Sequence, residues 1–519
     1  MDSSKFQQNC SNPKNRFRLN LIVILFGILV LMKVDAAIAA KLKAGVAKAN
    51  ITNSESTENV RDSLYVRALV LDNGTSSAVI ITVDAVAIGR IGSISDDYLG
   101  NIRSKIKEEL NIDRANVMVN ASHLHGAGYN VCHDIEERTM QAVRKAAQNM
   151  VSVNVGVGTG HEDRITQNHM LRLKNGKEWT IRHANPLPPD EEVAEVGPID
   201  PEIGILQLDK KNGESLAVVY NFTGHPYQGV SNTGTTASFP GFASKVIEDN
   251  LGEGAIALFI QGFAGDVIPV LYKDVNSARD PEPLGNMLGI SVLKALRNIE
   301  TRNDGELKVI DEVIKLPRRT DFAERIKSLQ DEQTNLLQSL QGTSLNLKAF
   351  IPLYIKYNLF EEYPSYYAHR YLHEEMIGRD DMEKLDDANR RNIDKYLRNI
   401  YAMEKLARIQ TNLSLLKRRQ AENKASMENT MDIEVQAMKI GGFKLVTFPA
   451  EVSVQVGLNI KENSPFENTF VAGFTNGYIS YAPTAEQLGR GAYQDCSCPL
   501  APEWQKIYEE KVMEILKKL

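Results

Sequence analysis

The stretch MVNASHLHGAGYN places His123 and His125 one residue apart, in a chain of 519 residues that has only nine histidines. On an extended backbone, residues i and i+2 face the same side, and neutral imidazole is the commonest metal ligand. Such a pair at a strand end is, taken alone, more often structural or on the surface. His225 changes that balance. It ends its own apolar run, LAVVYNFTGHP, and Pro226 sets the turn after it. Two strand ends that deliver histidines into loops are what an open metal site requires. Glu451 follows another strand and a Phe-Pro-Ala turn, where an N-cap or a surface role competes with ligation. Tyr478, Tyr481 and Tyr493 lie in the glycine-studded TNGYISYAPTAEQLGRGAYQ. Such tyrosines usually pack, but a phenol can also ligate a metal or hold a developing oxyanion.

Other candidates are weaker. QGFAGDVIPVLY offers Gly262, Gly265 and Asp266 after a buried strand, and its glycines would let a substrate approach the backbone. It lacks the Gly-Lys-Ser/Thr ending of a phosphate loop. His369 and His373 are i, i+4 on a helical stretch, a spacing that suits metals. Tyrosines crowd around them, so a packed or substrate-facing helix is the preferred reading. His133, His161, His169 and His183 carry no independent signal.

The elements that must position these residues alternate between strand and helix from Ala44 to about Arg318. Asn73-Gly74 and Asn212-Gly213 each join two apolar runs, a strong hairpin signal. NVMVNAS is a buried strand leading into the histidine pair, and AIALFIQ is another leading into Gly262. Residues from about 320 to 425 are charged and helical in period, and are expected to form an inserted helical segment. Strands return after Met431, which favours one interrupted domain. The predicted fold class is α/β, with a mixed central sheet, flanking helices and that insertion.

The N-terminus follows a different logic. Lys14, Arg16 and Arg18 precede a mostly apolar Leu19–Met32 and the small-x-small Ala37-Ile38-Ala39. Residues 1–39 therefore read as a secretory signal peptide, with residues 40–519 as the mature domain. An uncleaved membrane anchor is the alternative, although the apolar run is short of the roughly 20 residues a span needs. Removing the leader takes away five positive and two negative side chains, lowering the net charge from −6 to −9. An acidic surface disfavours nucleic acid as a partner. Of the four cysteines, Cys10 leaves with the leader. Cys132, Cys496 and Cys498 are too few for a disulfide scaffold, though one bridge from Cys132 to either of the others is compatible with the count.

Eight stretches, in order, resemble the N-terminal catalytic domain of the neutral/alkaline ceramidase family: DSLYVRALVLDNG, VMVNASHLHGAG, GPIDPEIGILQLD, NFTGHP, SFPGFASKVIE, QGFAGDVIP, FPAEVSVQVGLNIK and NGYISYAPTAEQLGRGAYQ. They cover about residues 44–300 and 430–519, leaving the helical insertion uncovered. The resemblance implies zinc held by His123, His225, Glu451 and Tyr481. It implies His125 as an active-site histidine, Tyr493 as a further active-site tyrosine, and a substrate pocket bordered by Gly265, Asp266 and Ile268. The implied reaction is hydrolysis of a linear amide, with zinc-bound water attacking the carbonyl, and N-acylsphingosine is the family's substrate. Three positions depart from the family. Ile268 stands where the ceramidases carry a serine, Gly126 replaces the serine after the histidine pair, and Asn168-His169 replaces an Asn-Arg pair. Isoleucine cannot act as a nucleophile, so a serine acyl-enzyme at this position is excluded. The chain ends at Leu519, where the family's immunoglobulin-like domain would begin, so that domain is not expected. Alternatives are hydrolysis of another N-acyl compound, a non-catalytic exported relative, or a membrane-attached interaction protein built around the insertion. A small-molecule or lipid amide is the expected partner, and peripheral membrane contact is compatible with it. The oligomeric state is left open.

Overall fold

The computed structural model describes residues 41–519 except 57–58, 127–129, 182–186, 228–233, 270–279 and 366. The expected leader, residues 1–39, and His183 lie outside the described residues.

Eight strands form the central sheet: β1 (Lys43–Asn50), β2 (Tyr65–Asp72), β3 (Ser77–Val83), β4 (Val117–Ala121), β5 (Val151–His161), β6 (Glu202–Lys210), β7 (Ser215–Phe222) and β8 (Ile256–Gln261). Their spatial order is β8-β7-β6-β5-β1-β2-β3-β4. The pairs β3–β4 and β7–β8 are parallel and the others antiparallel, so the sheet is mixed, as expected. Gly74 and Gly213 take φ of 87° and 88° in the two hairpin turns, the left-handed conformation for which glycine is suited. The crossovers into β4 and β8 are helical, α1 (Tyr98–Leu110) and α3 (Ser238–Leu251). The helices α2 (Ile135–Gln148) and α4 (Glu282–Leu296) complete the cover.

The two edges of this sheet meet at their C-terminal ends. Buried Asn120, the penultimate residue of β4, accepts from Gln261 N of β8 at 3.0 Å and donates to Gly473 O at 2.7 Å. A single amide thereby ties both edge strands to a loop of the second sheet. This brings together the loops that follow β4, β7 and β8.

The second sheet contains β9 (Leu307–Pro317), β10 (Thr430–Ile440), β11 (Phe443–Thr447) and β12 (Thr469–Ala472) in that order. Between the antiparallel partners β9 and β10 the chain leaves the sheet to build α5 (Phe322–Ser339), α6 (Leu347–Leu359), α7 (Ala368–Met376) and α8 (Asp381–Ser426). α8 has 46 residues, a length of roughly 70 Å at about 1.5 Å per residue. The foot of this segment packs Phe322, Ile326, Ile409 and Leu416 around Cys496. Charge also anchors it. Arg319 Nη1 and Arg325 Nη2 bind the two oxygens of fully buried Asp495 at 2.6 and 2.5 Å. The last helices are α9 (Val454–Asn463), α10 (Tyr493–Ser497) and α11 (Trp504–Lys518). No helix among the described residues is long and apolar enough to cross a membrane.

The bridge considered from Cys132 to Cys496 or Cys498 does not form, and all three thiols are free and buried. Each belongs to a separate core: Cys132 beneath the β1–β4 half of the sheet, Cys496 at the foot of the helices, and Cys498 against the second sheet.

Candidate metal centre

His123 leaves β4 with φ of 59°, a left-handed conformation uncommon for a residue with a Cβ. The turn aims its ring inward, where it stacks on Phe474 with centroids 3.9 Å apart. Its Nδ1 lies 2.6 Å from Val86 O. A carbonyl can only accept, so Nδ1 carries the proton and Nε2 presents its lone pair. His225, after β7, is held in the same sense by Ala264 O, 3.4 Å from its Nδ1. The two loops are stitched together where His125 N donates to Pro226 O at 3.2 Å. His125 Nε2 then stands 2.9 Å from His225 Nε2 and 3.3 Å from His123 Nε2. Ligand atoms of the three residues all lie within 4.8 Å of one another, the only such group among the described residues that could hold a metal ion.

The carboxylate arrives from the second sheet. Glu451 opens the short strand Glu451–Val452, which pairs in parallel with Tyr481–Ala482, placing Glu451 opposite Tyr481. Tyr478 donates its hydroxyl to Glu451 Oε1 at 2.5 Å. Oε2 faces His123 Nε2 at 3.4 Å, is buried, and accepts no well-formed hydrogen bond. Burial pushes the Glu451 carboxyl up, but the neighbouring His123 ring and the hydroxyls of Tyr478 and Tyr481 outweigh it and hold the group below the usual range. His225 is shifted well below the ordinary histidine range, first by burial and then by His123 and His125. The centre therefore combines the neutral imidazole of His225 with an ionised carboxylate whose buried oxygen lacks a donor. That donor chemistry fits a divalent cation.

These groups line a cavity of about 390 Å³, with Tyr481, Tyr493 and Ile268 on its wall. The rings of Tyr481 and Tyr493 meet edge to face at 5.5 Å. Tyr493 begins α10, whose Asp495 is the buried anchor of the helical segment and also accepts from Gly489 N and Gly491 N. Ile268 sits in the strand Val267–Pro269, opposite Gln167. Gly265 and Asp266 lie behind the wall. A Cβ on Gly265 would fall 2.5 Å from Glu451 O, so glycine lets this loop pack against the backbone that carries Glu451. Asp266 Oδ1 accepts from Val454 N at the start of α9, 2.8 Å away. Both thus support the carboxylate strand.

The cavity also takes residues that the sequence did not single out. His169 reaches it, with Nε2 3.0 Å from Gln494 Nε2, while neighbouring Asn168 turns away to donate to Pro198 O. Arg90, Arg418 and Tyr227 line it as well. Position 169 carried one signal, its place in the departed Asn-Arg pair. His369 and His373 are exposed on α7, and His133 and His161 are exposed elsewhere.

No family model and no curated protein matches the sequence. Solved structures do. A neutral ceramidase from Pseudomonas aeruginosa superposes with a TM-score of 0.59 at 17% identity, over 92% of this chain and 75% of that one. A ceramidase complexed with C2 gives 0.58 at 17% identity, again over 92% and 75%. With a mixed sheet, flanking helices and the same course over nearly its whole length, this chain has the ceramidase fold.

Proposed function

We propose that this protein is a zinc-dependent hydrolase of an N-acyl amide, resembling a ceramidase in reaction. The observation that carries the reading is the buried Oε2 of Glu451, without a hydrogen-bond donor, 3.4 Å from Nε2 of His123, the histidine that clusters with His125 and His225. Nitrogen and oxygen donors of this kind suit zinc. His123, His225, Glu451 and Tyr481 would hold it. When bound, zinc supplies a Lewis acid that makes hydroxide available near neutral pH.

The protein's own groups do the rest. Hydrolysis breaks the amide C–N bond, adds hydroxyl to the acyl carbon and leaves a proton on the amine. The Tyr493 phenol donates a hydrogen bond to the carbonyl oxygen as its charge develops. His125, half-buried beside the ligands, transfers the proton to the leaving nitrogen. Ile268 contributes apolar wall and no nucleophile. The closeness of His125 Nε2 to His225 Nε2, 2.9 Å, favours a second assignment in which His125 is itself a ligand. Zinc content of His125→Ala separates the two. Retention makes His125 a proton carrier, and loss makes it a ligand.

N-acylsphingosine is the reference substrate, with other N-acyl amides as the alternative. The test is metal analysis of the purified protein followed by a lipid-amide hydrolysis screen. One zinc per chain and released fatty acid are expected, and a metal-free chain without amide turnover overturns the reading. Export is part of the proposal, supported by the basic–apolar–small order of residues 1–39. The secreted protein should begin near Ala40, whereas a chain retained in the membrane with Met1 in place overturns export.

A further inference from the structure

The mouth of the cavity is electropositive in a way that an uncharged lipid amide does not require. Arg90 and Arg418 line the cavity and are solvent-exposed. They come from separate elements, Arg90 from the loop after β3 and Arg418 from the C-terminal part of α8. Arg90 is held in a strained backbone, φ 60°, by Asp96, whose Oδ1 accepts from its N–H at 2.7 Å. A non-glycine residue in this conformation costs about 1 kcal/mol, so its placement is over-determined by its surroundings. Asp96 forms no ion pair with the Arg90 guanidinium within 4.0 Å among the described residues.

Two further arginines adjoin. Arg319's neighbour Arg318 is shifted below the usual guanidinium range, first by burial and then by the positive charge of Arg90, with Glu428 and Glu422 offsetting it in part. Arg419 is buried, donates Nε to Ser497 O, and takes the one glutamate at the mouth, Glu422, at 2.6 Å. Among the described residues, neither Arg90, Arg318 nor Arg418 has a carboxylate within 4.0 Å. Like charges gathered at a concave opening focus a positive field on whatever enters. Guanidinium groups are matched in shape to carboxylate, sulfonate and phosphate.

Resting on the amide-hydrolase reading above, we propose that the substrate is an anionic N-acyl amide, of the N-acyl amino acid kind, whose acid group is received by Arg90 and Arg418. The two arginines are specificity residues at the mouth, outside the metal centre. Ile268 complements this. It removes a polar partner from the wall where a hydroxylated amine would lie, while the arginines supply charge recognition at the rim.

The test compares N-lauroylglycine with its uncharged counterpart N-lauroylglycinamide and with a C12 ceramide in neutral vesicles. Turnover is measured on the zinc-loaded full chain, and binding by calorimetry on the same chain stripped of metal, so that hydrolysis does not interfere. Expected is a preference of at least about tenfold for the anionic compound in kcat/KM and in affinity. That preference should shrink with added salt and fall towards unity in Arg418→Gln and Arg90→Gln. Equal handling of the charged and uncharged pair, or a preference untouched by both substitutions, overturns the inference. So does ceramide turnover that anionic vesicles stimulate and Arg418→Gln abolishes, which would assign the arginines to a lipid surface. If all three compounds resist hydrolysis while zinc is bound, the amide-hydrolase reading fails, and the calorimetric preference still decides the anion site.

Discussion

Two pairs of histidines in this molecule have spacings that suit a metal, and the fold treats them oppositely. His123 and His125 leave a buried strand, meet His225 from a second strand and face Glu451 from a second sheet. His369 and His373 sit a helical turn apart on α7, exposed, and no third ligand joins them among the described residues. Spacing within one element supplies at most two ligands. The difference lies in convergence. Asn120 draws the ends of β4 and β8 together, and the Glu451–Tyr481 pairing adds a carboxylate from outside the sheet. Burial also strips His123 of water and half-covers His125, whereas both rings of the second pair are exposed.

The strongest way to break this comparison is to remove one converging ligand. His225→Ala should take zinc from about one per chain to near zero, with activity falling on the order of 100-fold or more. His369→Ala and His373→Ala should leave metal content unchanged and stability within about 0.5 kcal/mol, as exposed substitutions do. Atomic absorption on the three variants checks this, and the reverse pattern would move the site to the helices.

A second test addresses the boundary where the two regions touch. Glu178 lies behind the cavity in the strand Glu178–Thr180. Arg408 of α8 donates to its carbonyl at 3.1 Å and stacks 3.6 Å from the Trp179 ring. Burial raises the Glu178 carboxyl to about 7, against an ordinary 4.5, with only partial relief from Arg490 and Arg172. Between those values the unfolded chain has released a proton that the folded protein still holds. The contribution of Glu178 to stability is therefore greatest below pH 4.5 and is lost as pH rises through about 7, by up to about 3 kcal/mol. Glu178→Gln should remove this dependence, raising stability by about 1–3 kcal/mol at pH 8 and leaving it unchanged at pH 4. Urea unfolding at the two pH values is the measurement, and an unaltered pH profile counts against a buried proton at this junction.

Tyr478 probes the support of the converging site. Its hydroxyl is bonded to Glu451 Oε1, so Tyr478→Phe leaves that buried oxygen without a donor. Zinc affinity should drop about 10–100-fold, with activity recovered by excess zinc. Loss of activity that zinc does not restore would give the tyrosine a different part.

Much of the frame was legible because it depends on local signals. The Asn-Gly turns at residues 73 and 212 make the hairpins, and apolar runs ending at His123 and His225 announce strand ends. The charged period between residues 320 and 425 announces the helices. What escaped depends on contacts between distant parts of the chain. Nothing local tells which of three tyrosines in one glycine-rich loop bonds Glu451. Register with a strand about 30 residues earlier decides it. The cysteines illustrate the same point, since a count permits a bridge that three separate cores forbid. Gly265, which the resemblance puts at the pocket, packs against the Glu451 backbone, and Asp266 accepts from Val454 N, contacts that no local signal announces.

The smallest expected effect concerns Ile268, which is nearly fully buried on the cavity wall. The ceramidases carry a serine here, and restoring it separates two accounts of the converging region. If the histidines and Glu451 hold zinc and water is the attacking group, position 268 only shapes the pocket. A serine then offers a substrate hydroxyl one hydrogen bond, a contribution of about 1 kcal/mol, or roughly a fewfold change. Ile268→Ser should accordingly improve ceramide relative to simple N-acyl amides by a fewfold, without altering metal content. The natural protein should cleave simple amides measurably and ceramide poorly. Steady-state assays of both forms on both substrates give the ratio. Robust ceramide turnover by the isoleucine form would contradict the specificity argument. A covalent acyl-enzyme trapped in that same form would overturn attack by water, because it would require a nucleophile elsewhere on the cavity wall.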